Sequence, residues 1–201
     1  MGEIVGSSRQ LGCIASHIEV ALWEPALVTR GGAVGRDSGH TVFRVGEQDG
    51  RITPRAEKIA GLLDSIDAAY ASDNLWGERW AKLSQNSMGN GISASTGLGS
   101  QQMAEDPRLR LIRINLAKEA AKVGLAMGLN VVAINGVPAE TWADADKGDV
   151  FEELDGHMSA QTKLFFGFGD RRSVNIEAPN RCFQKLSGCD LFRAHRLLHL
   201  R

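Results

Sequence analysis

A lysine and two asparagines recur at intervals of four in the segment RWAKLSQNSMGNG, residues 79–91. In one helix, Lys82, Asn86 and Asn90 would share a face, because an α-helix turns once every 3.6 residues. A lysine ammonium donates a proton, and asparagine amides donate and accept hydrogen bonds without charge. The row would suit a cleft for a small anion bearing a carbonyl group. It is equally the composition of an ordinary solvated helix face.

Two glycines, Gly89 and Gly91, flank Asn90 in this segment. Each costs about 1 kcal/mol relative to alanine in a helix interior. Close approach of a ligand or of another backbone is the usual reason for such glycines. The glycines therefore add support for a binding surface beside the row, while a solvated helix face remains the more common explanation.

The elements around this row are predicted to be strands first and helices afterwards. Short apolar runs in residues 11–45 (CIASHIEVAL, ALVTR and HTVFRVGE, the last beginning at His40) predict strands. Thr53 followed by Pro54 predicts the start of a helix whose apolar stripe reaches Tyr70. With no crossover helix recognised among the strands, they are expected to form the edge of a larger sheet.

Two further helices are predicted. One runs from Asn74 to about Ser95, with Trp76, Trp80 and Leu83 along its apolar face. The next begins at Asp106-Pro107 and ends before Gly128. It carries two apolar stripes and is therefore expected to be buried on two sides.

Composition narrows the classes of partner. The net charge is −1 and the pI about 6.5, which gives no general attraction to nucleic acid or to an anionic membrane surface. No apolar run is long enough for a membrane helix.

Three cysteines form no disulfide framework, so we expect a cytoplasmic protein. The spacing of Cys182, Cys189, His195 and His199 is wrong for a structural zinc site, and we predict no metal.

The last 38 residues differ from the rest. Residues 164–201 contain five of the seven phenylalanines and carry a net charge of +4, against −5 for residues 1–163. No helical or strand period runs through most of them, so they are predicted to be an irregular, basic tail.

Three segments together resemble the ketopantoate reductases (2-dehydropantoate 2-reductases). They are TVFRVGEQDGRITPRAEKIAGLL, NLWGERWAKLSQNSMGNGISASTG and EAAKVGLAMGL, and the resemblance covers roughly residues 10–130. The resemblance implies NADPH-dependent reduction of a small 2-oxo acid, 2-dehydropantoate, on the route to pantothenate. By position, Lys82 would be the catalytic proton donor, and Asn86 and Asn90 would hold the substrate. Glu177 matches no family position well and is given no role.

The fold implied is an α+β fragment. Residues 1–52 would be closing strands of an incomplete Rossmann-type nucleotide-binding domain, and residues 53–163 a helical catalytic or dimerisation domain of the 6-phosphogluconate dehydrogenase C-terminal type. The tail, 164–201, would follow. The family's glycine-rich cofactor loop has no counterpart here, so we expect a truncated form whose cofactor residues are unknown.

Two functions stay open at this stage. The chain is either part of a 2-oxo acid reductase or an inactive helical module that dimerises, as a homodimer, or binds a partner. The sequence does not distinguish which 2-oxo acid would be used.

Overall fold

The structure is a computed structural model that describes residues 2–16, 18–31 and 34–166. Residues Met1–Ala160 form one compact unit. The predicted tail lies outside the described residues except for residues 164–166, which are helical. The cysteine and histidine positions weighed for zinc also lie outside them.

The described residues contain five strands, four before the first long helix and one directly after it. They are β1 (Leu11–Ala15), β2 (Glu19–Glu24), β3 (Leu27–Gly31), β4 (Phe43–Glu47) and β5 (Ala69–Ala71). Strands β2 and β3 form a separate antiparallel hairpin. The other three form a sheet in the order β1-β4-β5, with β1 antiparallel and β5 parallel to β4.

Helices make up most of the remaining described chain. They are α1 (Gly2–Val5), α2 (Gly35–Ser38), α3 (Pro54–Asp64), α4 (Leu75–Ser87), α5 (Asn90–Thr96), α6 (Ser100–Glu105), α7 (Pro107–Ala126), α8 (Ala139–Ala143) and α9 (Gly148–Phe166). A few strands followed by a mostly helical region is the α+β organisation that the sequence predicts.

The expectation of strands without a crossover helix is wrong. Strands β4 and β5 are parallel, and α3 connects them, which makes a short β–α–β unit. The sequence pattern hid β5 because Tyr70 continues the apolar spacing of α3, although the helix ends at Asp64. A three-residue strand gives too few positions for an alternating pattern.

The predicted helix starts are confirmed. The Thr53 hydroxyl accepts a hydrogen bond from the amide of Ala56 and caps α3. Asn74 caps α4 and Asp106 caps α7 in the same way. Helix α7 ends before Gly128, whose φ of 74° is the left-handed conformation that glycine adopts easily.

Two apolar clusters support the fold. Under the sheet, Val45 of β4 packs with Ala56 and Ala60 of α3. The larger cluster joins α4, α7, α8 and α9, and its main buried members are Ala81, Met88, Ile114, Ala117, Ala121, Ile134, Trp142, Leu154 and Met158. Helix α4 contributes to this cluster and also contacts β1 and β4.

Helix α7 is buried on one side, so the prediction of two buried sides is wrong. Its buried stripe consists of Arg110, Ile114, Ala117, Ala121 and Gly124. The apolar stripe that contains Ile112, Val123 and Met127 is open, since these residues are 47%, 51% and 60% exposed. Within the described ranges, no helix combines the length and the apolar character needed to cross a membrane.

Candidate functional site

Helix α4 carries the predicted site and lies between the sheet and the helical core. At its start, Leu75 is 1% exposed and meets Gly12 of β1 and Gly46 of β4, where a side chain would leave no room for it. Toward its end, Ala81 and Met88 belong to the helical cluster. Both contacts fix the helix, so its remaining side chains are held in defined positions.

Lys82 is half-buried on α4. Its Nζ donates to the amide oxygen Oε1 of Gln85, at 3.2 Å. Burial lowers the pKa of Lys82 below its ordinary value, and the positive charge of Arg44 lowers it further. A lysine in this setting gives up its proton more readily than a lysine in water.

Asn86 follows Lys82 by one turn on the same helix and is also half-buried. Because residues four apart are neighbours on a helix surface, these two side chains share one face of α4. Among the described residues, the Asn86 amide has no hydrogen-bonding partner, which leaves both its donor and its acceptor available.

Asn90 lies beyond a break in the helix. The predicted single helix from Asn74 to about Ser95 is wrong, because α4 ends at Ser87 and Asn90 is the first residue of α5. The break falls at Gly89, with φ −130° and ψ −50°. Asn90 is exposed, and the break separates it from Lys82 and Asn86 on α4.

The flanking glycines do not mark a close backbone contact. A Cβ built on Gly89 or Gly91 meets no described atom within 4 Å. Close approach occurs elsewhere: a Cβ on Gly77 would lie 1.8 Å from the carbonyl oxygen of Asn130, and one on Gly124 would lie 2.2 Å from Cδ1 of Trp80.

The predicted tryptophan face of α4 is displaced from its true buried face. Trp76 and Leu83 are 48% and 52% exposed. Trp80 is half-buried, and its Nε1 donates to the carbonyl of Ala120 at 2.6 Å. The residues of α4 that are buried are Leu75, Gly77, Glu78, Ala81 and Ser84. Small side chains dominate this set because α4 packs closely against its neighbours.

A charged network that sequence reasoning missed lies one turn before Lys82. The Tyr70 hydroxyl donates to Oε1 of Glu78 at 2.5 Å, and Nε of Arg44 lies 3.0 Å from Oε2 of the same carboxylate. The Arg44 Nε makes this ion pair without the alignment of a hydrogen bond. Burial, and then Glu78, raise the pKa of Tyr70, so its hydroxyl remains a donor. Glu78 lies four residues before Lys82, and this spacing is the sequence signal that could have pointed to the network.

A second set of contacts connects Lys82 to the turn after α7. Gln85 accepts from Lys82 and donates through Nε2 to Oδ1 of Asn135, at 2.6 Å. Asn135 has φ 52° and Gly136 φ 81°, and Ile134 pairs with Val137 across this turn. Asn-Gly is a recognisable turn signal, and it fixes the position of the Asn135 amide.

A separate cavity of about 430 Å³ lies between α7 and the start of α9. Its lining includes Leu111, Asn115 and Phe151, and none of Lys82, Asn86 or Asn90. In the part of the chain that the structure describes, no three His, Cys, Asp or Glu side chains are grouped to hold a metal ion.

Known proteins similar to this chain are reductases. A 2-dehydropantoate 2-reductase from Archaeoglobus fulgidus is 32% identical over 149 residues, covering 70% of this chain and 50% of the relative. The chain therefore spans about half the length of the curated relative it matches. No protein-family model matches it.

Solved structures share the fold. A crystal structure assigned as a ketopantoate reductase from Ralstonia solanacearum MolK2 has a TM-score of 0.57 at 21% identity, over 83% of this chain and 52% of that one. A 2-dehydropantoate 2-reductase from Geobacter metallireducens GS-15 has a TM-score of 0.56 at 22% identity, over 82% and 51%. By sequence and by fold, the chain belongs to the ketopantoate reductase family and spans about half the length of the members it matches.

Proposed function

We propose that this chain provides the proton donor and part of the substrate site of an NADPH-dependent 2-oxo acid reductase acting on 2-dehydropantoate. The observation that carries the proposal is the pair formed by Lys82 and Asn86. They lie one turn apart on a face of α4, both half-buried, with the lysine against a neutral amide. Family membership supports the reaction class.

Lys82 would act as the general acid. When hydride adds to a ketone carbon, the oxygen becomes an alkoxide and must accept a proton. A donor is most effective when its pKa lies near the working pH. Burial and Arg44 move the pKa of Lys82 in that direction.

The asparagine amides would orient the substrate. Asn86 can donate to a carboxylate or hydroxyl oxygen and accept from a hydroxyl group, because its amide has both functions. We assign Asn90 to the same task, at the start of α5. Its exposure and the break at Gly89 make it the less constrained of the two.

The β4–α3–β5 unit does not fit the pyrophosphate of NADPH. In a Rossmann unit that group binds a glycine-rich turn at a helix N-terminus. In the β4–α3–β5 unit, the helix begins with Pro54, which has no amide hydrogen, and the Thr53 hydroxyl already accepts from Ala56. The Glu47 carboxylate also lies beside Thr53, at 2.5 Å. The cofactor would have to be held by residues outside this unit.

Turnover by the Lys82→Ala variant tests the proposal. The chain is assayed in an intact assembly that also contains the residues holding the cofactor. NADPH and 2-dehydropantoate are added, and loss of NADPH is followed with time. General-acid catalysis typically contributes 10²–10⁴-fold, so the variant should lose roughly that factor in kcat with an unchanged affinity for NADPH. Lys58 is exposed on α3, away from the α4 row, so Lys58→Ala serves as the matched control and should retain full turnover. A Lys82→Ala variant as active as the wild type would contradict the assignment.

A dimerisation module without turnover is the second candidate. It is favoured by the open apolar stripe of α7, in which Ile112 and Val123 are about half exposed. Burying such side chains in a homodimer would remove apolar surface from water. Sedimentation of the wild-type chain and of Ile112→Glu distinguishes the cases. A dimer that the substitution dissociates, together with no turnover in the intact assembly, would favour the module over the reductase.

A further inference from the structure

Glu78 and Lys82 have the spacing of a helical ion pair but do not form one. A glutamate four residues before a lysine is the favoured order for such a pair on a helix. In the structure, Nζ of Lys82 instead contacts the neutral Oε1 of Gln85, at 3.2 Å. No carboxylate of a described residue forms a salt bridge with Lys82.

The reason is that both oxygens of Glu78 are already engaged. Oε1 accepts from the Tyr70 hydroxyl at 2.5 Å, and Oε2 lies 3.0 Å from Nε of Arg44. The carboxylate is held in place, because its side chain is 10% exposed and that of Arg44 is 18% exposed. The two partners come from β5 and β4, so the sheet sets the direction of a side chain on α4.

We propose that Arg44 and Tyr70 are positioning residues that hold the Glu78 carboxylate away from Lys82 and leave the lysine ammonium without a counter-ion. Arg44 acts twice in this arrangement. It withdraws the carboxylate, and it adds a positive charge on the side of the sheet. Both effects favour release of the Lys82 proton.

Several other charged groups on and around α4 are engaged elsewhere. The elements that pack against it include β1, β4, α5 and α7. Arg79 of α4 donates to Gln48, and its guanidinium lies 4.8 Å from the centre of the Trp76 ring. On α7, Nε of Arg113 donates to the carbonyl of Met88, and Lys118 pairs with Asp146. On β1, Cys13 is exposed, and α5 carries no charged side chain. Arg44 is the charged group that acts on the pKa of Lys82.

The arrangement deepens the proposed function, and its catalytic meaning rests on that function. Proton release from Lys82 can nevertheless be measured without turnover. Competitive acetylation of the purified chain over a range of pH, read by mass spectrometry, reports the deprotonated fraction of each lysine. Lys58 of α3 serves as an internal reference on the same molecule.

Two substitutions should change the acetylation rate of Lys82 in opposite directions. In Arg44→Met, Glu78 is released toward Lys82 and the repelling charge is lost, so the pKa of Lys82 should rise. The acetylation rate at a fixed pH below that pKa should fall by roughly 1.4–2.3-fold, the size of a helical ion pair. In Glu78→Gln the guanidinium loses its neutralising partner, so the rate should increase. Arg44→Lys keeps the charge and should restore most of the wild-type rate.

Tyr70→Phe keeps the test decisive if Arg44→Met does not fold. Tyr70 is 41% exposed, and the substitution removes only the hydroxyl that holds Oε1 of Glu78. A smaller fall in Lys82 acetylation is expected, with Lys58 unchanged. The proposal would be overturned if the acetylation rate of Lys82 does not change in these folded variants, or if it falls in Glu78→Gln. If the Lys82→Ala variant instead keeps full reductase turnover, the proposed function is refuted, while the acetylation result still holds.

Discussion

Arg110 of α7 and Asp155 of α9 form a two-pronged ion pair inside the helical region. Nε of Arg110 lies 2.6 Å from Oδ1 of Asp155, and Nη2 lies 3.1 Å from Oδ2. The remaining nitrogen, Nη1, donates to the carbonyls of Ala104 and Glu105 at the end of α6. One buried guanidinium thus connects three helices, which makes it a structural rather than a catalytic charge.

Replacing Arg110 with methionine should destabilise the fold by about 2–4 kcal/mol, because it leaves a partly buried carboxylate and two carbonyls without their donor. Urea denaturation followed by tryptophan fluorescence measures the loss. Arg108→Met is the matched control, since Arg108 lies two residues away and its side chain is 88% exposed. An equal effect of both substitutions would show that the Arg110 contacts contribute little.

Gly77 should not tolerate a methyl group. A Cβ there would lie 1.8 Å from the carbonyl oxygen of Asn130, a backbone atom that cannot move without shifting its loop. Gly77→Ala should therefore cost about 1–3 kcal/mol. Gly61→Ala is the control, because Gly61 lies in the interior of α3 and the added carbon meets nothing within 4 Å beyond the neighbouring backbone of its own helix. That change should stabilise the protein by about 0.5–1 kcal/mol, because alanine favours the helix. Equal unfolding midpoints for the two variants would contradict this explanation.

Local sequence signals predicted the helix starts correctly, but they could not predict contacts between residues that lie far apart in the sequence. Thr53, Asn74 and Asp106 act within three residues of themselves, so the sequence around each contains the whole interaction. Helix α4 ends at Ser87, just before the break at Gly89. The same 3.6-residue spacing continues past Gly89, so periodicity alone could not reveal the break.

The same difference between local and long-range contacts applies to the candidate site. Spacing and family resemblance predict Lys82 and Asn86 as site residues, and the two are neighbours on one helix. The partners that set the surroundings of Lys82 come from other elements, Arg44 from β4 and Asn135 from a turn after α7. These residues are too far from Lys82 in the sequence for a local pattern to reveal the contacts. Only Glu78, four residues away, could have been found from spacing.

The two asparagines should differ in their contribution to substrate binding. Asn86 is half-buried on the helix that carries Lys82, whereas Asn90 is exposed beyond the break. Losing a neutral hydrogen bond costs about 0.5–1.5 kcal/mol, so Asn86→Ala should raise KM for the keto acid by roughly 2–10-fold. Asn90→Ala should raise it less. Steady-state kinetics with both variants checks the order, and a larger effect at Asn90 would contradict it.

Glu47 should make stability depend on pH at the start of α3. Arg55 and Thr53 donate hydrogen bonds to its carboxylate and lower the pKa of Glu47 from 4.5 to about 2. A carboxyl group with a lowered pKa in the folded state adds stability above its unfolded pKa, and this stability is lost as the pH falls through the folded pKa. The contribution of Glu47 should therefore be complete near neutral pH and disappear between about pH 4.5 and about pH 2.

Comparison with Glu47→Gln isolates this contribution from other carboxylates, such as Asp106 and Asp146, that titrate over the same range. The wild type should have the higher urea midpoint near neutral pH, and the difference should shrink as the solution is acidified. Arg55→Met should flatten the same dependence, because it removes the largest cause of the lowered pKa of Glu47. A difference between wild type and Glu47→Gln that stays constant with pH would mean that the Arg55 and Thr53 contacts do not hold this carboxylate in solution.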